Sequence, residues 1–183
     1  MLSQKEKKIL INIVEETIKA KIDGEAIPDF YYGQQALNVR TGAFVTLKID
    51  NELRGCIGMI SSNKPLYQTI SEMALQAAFC DPRFEPLTLE ELNKLGIEVS
   101  ILSPLKKVGS IDEIEVGRDG LLIKKNLSSG LLLPQVAVEY CWDKYSFLEQ
   151  VCLKAGLNAD AWKEDDADIY KFTAEVFSSD EDF

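Results

Sequence analysis

Two alternating stretches, GAFVTLKID at 42–50 and ELRGCIGMI at 52–60, meet at the turn-forming pair Asp50-Asn51. Alternation of this kind fits strands with one buried face, and a short polar break between them is a β-hairpin signature. The rest of the chain must supply the layer that buries that face. Upstream, residues 3–21 place Ile9, Leu10, Ile13, Val14, Thr17 and Ile18 on one helical stripe, with Ser3 and Glu6 spaced as a capping box and Asp23-Gly24 as the stop. Downstream, Ser62 and Pro65 open a second helical stretch to about Cys80, in which Leu66, Ile70, Met73, Ala74, Ala77 and Ala78 recur at three and four.

The segment Asp81 to Pro86 must be irregular, because Pro82 and Pro86 each remove a backbone donor and restrict the preceding residue. Thr88 and Glu91 then cap a short helix. GIEVSILSP (96–104) reads as a strand, and two or three further short strands are predicted around turns at Gly117-Arg118-Asp119-Gly120 and Ser128-Ser129-Gly130. Asp143 caps a helix reaching Ala155, with Phe147, Leu148, Val151 and Cys152 inward and Gly156 as its stop. IYKFTAEVF places Tyr170, Phe172, Ala174 and Val176 on one strand face. Helices at both ends of a strand-rich middle argue for an α+β fold with a largely antiparallel sheet. Residues 1–178 are expected to form one domain, followed by a frayed acidic tail at 179–183.

Chemistry is bounded by the absence of histidine from all 183 residues, which removes Ser-His-Asp and Cys-His catalysis and every histidine-containing zinc site. Cys56, Cys80, Cys141 and Cys152 include no C-x-x-C pair, so neither a metal site nor a redox motif is indicated and no cofactor is implied. No apolar run is long enough to span a membrane, and the N-terminal stretch lacks a small-residue cleavage site, so a cytoplasmic setting is expected. The net charge of −10 comes mostly from residues 160–183, where nine acidic residues face two lysines. The region containing Arg54 and Arg83 is nearly neutral and can accept a small anionic ligand, whereas nucleic-acid binding lacks a basic stripe with interleaved aromatics.

Strand alternation sets Arg54, Cys56 and Gly58 on one face, and Leu53, Gly55 and Ile57 on the other. A guanidinium one pleat repeat from a thiol can stabilise its thiolate, and Gly55 and Gly58 leave room for a ligand. Equally, Cys56 can pack as a small hydrophobe, Arg54 can pair with a carboxylate, and the glycines can mark a bulge. Asp81 and Arg83, in the proline-bounded loop, suit either a ligand contact or a structural ion pair. Gln135, after Pro134 at the end of the LLLP strand, could project its amide into a cleft. Cys152 reads as core, Cys80 and Cys141 flank turns, and the pairs Glu90-Glu91 and Asp165-Asp166 read as solvated surface without a role.

With LRGCIG unaltered at Leu53–Gly58, followed by FCDPRFEPLTLEEL, IEVSILSP, GLLLPQVAVEYCWD and FLEQVCLKAGL in order, the chain resembles the AMMECR family over residues 2–178. Cys141 departs from the pattern, since a glycine commonly precedes the Trp-Asp pair there. The resemblance implies a larger part containing both termini, a smaller inserted part, and a cleft bordered by the motif strand. It also implies partners: prokaryotic members are associated with a Memo-like protein and a radical S-adenosylmethionine protein. Two functions remain open. One is an enzyme or small-ligand site centred on Cys56, with Arg54 stabilising the thiolate and Gly55, Gly58, Asp81, Arg83 and Gln135 shaping the ligand site. The other is a non-catalytic accessory module in which the motif serves backbone geometry.

Overall fold

The computed structural model describes residues 1–181. The chain divides into two compact units, Met1–Leu102 together with the stretch from Glu175 onward, and Ser103–Ala174. Among the described residues, the larger unit thus holds chain from both sides of the smaller, which is inserted.

In the first unit, α1 (Gln4–Ile22) begins at Ser3, whose hydroxyl accepts the Glu6 N–H while the Glu6 carboxylate accepts the Ser3 N–H at 2.8 Å. β1 (Ala43–Ile49) lies between β2 (Glu52–Met59) and β3 (Leu95–Leu102), antiparallel to both. Asp50 and Asn51 both adopt positive φ, 52° and 64°, the conformation that matches a two-residue hairpin to the strand twist. Between β2 and β3 come α2 (Leu66–Phe79) and the single turn α3 (Leu89–Leu92), started by the Thr88–Glu91 capping box. Leu10, Ile13, Val14 and Ile18 of α1, Ile70, Ala74 and Ala77 of α2, and Val45, Leu47, Ile97 and Val99 of the strands form one buried cluster, so the helices cover one sheet face.

In the second unit, β4 (Lys106–Lys107), β5 (Asp119–Lys125) and β6 (Ser128–Leu132) precede α4 (Pro134–Glu139) and α5 (Lys144–Lys154), and β7 (Asp168–Ser178) follows. β7 pairs with β4 and β5, and β5 with β6, all antiparallel. Phe147, Leu148, Val151 and Cys152 of α5 are fully buried beside Leu121, Ile123 and Leu132.

Several expectations are corrected. Ser128, Ser129 and Gly130 lie within β6, and the turn falls at Asn126 (φ 54°) and Leu127. Gly130 is there because a Cβ would approach the backbone N of Ala155 to 2.6 Å. PQVAVE is helical despite its valines, because Pro134 takes the first helical position. β7 does not bury alternate residues: Ile169 and Phe177 are inside on one strand face and Phe172 on the other, so the strand buries side chains from both of its faces. Of the predicted tail, Ser179 donates its backbone N–H to the Ile97 carbonyl at 2.8 Å, and Asp182 and Phe183 lie outside the described residues. No helix among the described residues is long and apolar enough to cross a membrane.

Candidate functional site

The LRGCIG sequence lies on β2, the edge strand of the first unit's sheet. Next to the turn, Ile49 pairs with Glu52 and Lys48 with Leu53, but Leu47 pairs with Gly55, so Arg54 is the extra residue of a β-bulge. Without the bulge, Arg54 would stand opposite Leu47 and be driven toward the core. The bulge also corrects the predicted alternation, because Leu53 shares the register face of Lys48 and Thr46, and therefore of Cys56, rather than that of Gly55.

Arg54 is claimed by groups on α3 and the loop before it. Its Nε donates to Glu91 Oε1 at 2.7 Å, and its Nη2 to Glu91 Oε2 at 3.0 Å and to the Glu85 carbonyl at 2.9 Å. Those bonds pull the Glu91 carboxyl down to about 2, assisted by the Thr88 N–H. Glu91 was expected to be plain surface, and this pairing is a correction: the capping box orients it and Arg54 neutralises it. Nη1 of Arg54 is buried without a hydrogen-bond partner among the described residues.

Asp81 and Arg83 form a second brace. Asp81 Oδ2 accepts the Cys56 backbone N–H at 2.9 Å and Arg83 Nη2 at 2.7 Å, while Oδ1 accepts the Arg83 N–H and Nε. Arg83 Nη2 also donates to the Cys56 carbonyl at 3.2 Å. Side chains therefore satisfy both outward backbone groups of Cys56, as a neighbouring strand would. Hydrogen bonding from Arg83 and the Cys56 N–H holds the Asp81 carboxyl far below the usual carboxylate range. The Arg83 side chain remains half exposed. Phe84 sits between the two braces, its ring centre 5.8 Å from the Arg54 guanidinium and 5.5 Å from that of Arg83.

The two motif glycines answer to close packing. A Cβ on Gly55 would lie 2.2 Å from the Ala77 carbonyl oxygen of α2, and one on Gly58 would lie 2.2 Å from the Phe44 ring. Cys56 itself is half-buried, and the Thr46 hydroxyl opposite it donates to its sulfur at 3.3 Å. Arg54, Gly55, Cys56, Gly58, Asp81 and Arg83 are thus brought to one corner of the first unit. Gln135 is in the second unit, in the first turn of α4 rather than at a strand end. Cys80 and Cys141 are exposed, and Cys152 is buried, which pushes its thiol up. A cavity of about 410 Å³ in the first unit is lined by Lys48, Asp50, Lys94, Gly96, Glu98 and others, and takes in none of the motif residues.

Glu91, Thr46 and Phe84 are the contributors that sequence reading missed. Glu91 had a visible signal in its cap. Thr46 could be found only with the bulge in place, because counting from the turn without it sets Val45 opposite Cys56.

Fold and site together define an α+β protein with a cysteine strand braced by two ion pairs. The chain belongs to the AMMECR1 family, whose model matches residues 11–177. It is 43% identical over 180 residues to protein NEQ441 of Nanoarchaeum equitans, covering 94% of this chain and 98% of that one. Protein MJ0810 of Methanocaldococcus jannaschii is 41% identical, with 92% of each chain covered. The crystal structure of uncharacterized protein PH0010 from Pyrococcus horikoshii superposes with a TM-score of 0.86 at 39% identity, covering 94% of this chain and 90% of that one.

Proposed function

We propose that the chain is a non-catalytic accessory module that presents the braced β2 corner to a Memo-like protein and a radical S-adenosylmethionine protein, the motif serving backbone geometry. The observation that carries this reading is the engagement of the charged residues: Arg54 is held by Glu91 and the Glu85 carbonyl, and Asp81 and Arg83 close on the Cys56 backbone. The glycines are fitted against Ala77 and Phe44, so the motif's backbone and charged groups all serve the framework. The small-ligand capacity of the corner resides in the exposed part of Arg83, in which case an anionic group on the partner is the natural complement. Co-purification with the two partners tests the reading. Cys56→Ser should retain the complex, while Arg83→Ala, still folded by circular dichroism, should lose it. Loss of the complex in folded Cys56→Ser would overturn it.

A second reading is favoured by one contact, the Thr46 hydroxyl donating to Cys56 sulfur. Such a bond supports a thiolate, and thiol chemistry would then need a carboxylate or water as its base because histidine is absent. The rate of Cys56 alkylation against pH separates the two, since a thiol titrating near ~8.5 has no activated nucleophile to offer.

A further inference from the structure

α4 ends in the second unit with the run Glu139-Tyr140-Cys141-Trp142-Asp143, an aromatic pair bracketed by two carboxylates. Its backbone is fixed by a Schellman pattern: the Cys141 N–H donates to the Val138 carbonyl at 3.0 Å, and the Trp142 N–H to the Ala137 carbonyl at 2.8 Å, with Cys141 at φ 52°. That folds Trp142 back so that its ring stacks on Tyr140, with centroids 5.0 Å apart and planes 18° from parallel. Trp142 is anchored from behind by Phe147, a fully buried residue 6.5 Å away. Tyr140 nevertheless stays 65% exposed and Val138 beside it 58%. Large apolar groups held rigidly at the surface lose little entropy on binding and are the usual anchors of interfaces.

Charge decides what they would bind. Glu139 and Asp143 enter no ion pair among the described residues, whereas the nearby cations are engaged, Arg118 by Asp119 and Glu115, and Lys144 by Asp112. Asp143 caps α5 through the Ser146 N–H, a bond that lowers its carboxyl and keeps it ionised. An exposed ring stack followed and preceded in sequence by carboxylates that enter no ion pair among the described residues is complementary to a cation that is both flat and able to donate in a fork. A guanidinium meets both demands, whereas an ammonium holds its hydration more strongly and cannot stack.

We propose that the Tyr140–Trp142 stack with Glu139 and Asp143 is a docking site for an arginine side chain of a partner protein. The site belongs to the second unit and does not depend on the function of the β2 corner.

The test is a titration of the whole chain with the peptide acetyl-Gly-Arg-Arg-Gly-amide and its lysine counterpart, followed by tryptophan fluorescence. The arginine peptide should bind about fivefold more tightly than the lysine peptide, and Tyr140→Leu, which keeps apolar area but removes the ring, should weaken it about fivefold. Glu139→Gln with Asp143→Asn should flatten the dependence on salt, with the helix cap preserved because asparagine also caps. Equal affinity for the two peptides, no binding at millimolar peptide, or indifference to Tyr140→Leu would each overturn the proposal. Tyr140 is exposed enough that its replacement leaves the core intact.

Discussion

Gly55→Ala asks whether the motif glycine is there for packing. The added methyl would stand 2.2 Å from the Ala77 carbonyl oxygen, whereas carbon and oxygen ordinarily approach no closer than about 3.3 Å. β2 and α2 must therefore separate by about 1 Å, and a gap of that size forfeits roughly a quarter to a half of each van der Waals contact across it. The contacts at risk belong to Leu66, Ile70, Ala74 and Ala77, all buried on α2. The expected loss is about 3 kcal/mol, at the upper end of overpacking costs. For a chain of this length that lowers Tm by about 6–12 °C. Gly96→Ala is the control on the same sheet, because the nearest atom to its Cβ would be the Lys48 carbonyl oxygen at an ordinary 3.7 Å. It should be neutral or stabilising by about 0.5 kcal/mol, the usual gain from removing a strand glycine. Thermal unfolding followed by circular dichroism reads both. A Gly55→Ala protein within about 1 kcal/mol of wild type, or a Gly96→Ala protein equally damaged, would refute the packing argument.

Glu91→Gln keeps the capping box but removes the negative charge that faces the partly buried Arg54 guanidinium, and should cost about 1.5–3 kcal/mol at neutral pH. Because Arg54 depresses the Glu91 carboxyl from 4.5 to about 2, its contribution is fully present above pH 4.5 and is lost as pH falls toward 2. The stability gap between wild type and variant should close across that window in acid denaturation, and a constant gap would count against the pair. Cys141→Gly should stabilise by about 1 kcal/mol, since the position at φ 52° suits glycine better than a residue with a Cβ. A chemical denaturation midpoint that falls instead would mean the cysteine side chain is itself needed there.

Local signals located most elements because their causes are local. Ser3 with Glu6, Thr88 with Glu91, and Asp143 each cap the helix they were expected to cap, and Asp50-Asn51 turns the hairpin. The failures share a cause in contacts distant along the chain. Gly130 resembled a turn residue, yet it is a strand residue opposite α5, and Gln135 left its expected strand because Pro134 begins a helix. At the site, the sequence singled out residues that the fold brings to one corner, apart from Gln135, but not the bonds between them. Hairpin counting could have shown the conflict, since a register without a bulge sets Arg54 against Leu47, but nothing local says that Glu91 receives the displaced guanidinium.

The residues by themselves determined the class of fold, the family, and the exclusion of imidazole chemistry, because periodicity, capping, motif order and composition are properties of neighbouring residues or of the whole count. Only the tertiary structure decided that Asp81 and Arg83 close on the backbone of Cys56 and that Arg54 turns to Glu91, separated from it by 37 positions. Those pairings are chosen by where α2, α3 and β2 pack, and an ion pair forms with whichever opposite charge the packing brings within reach.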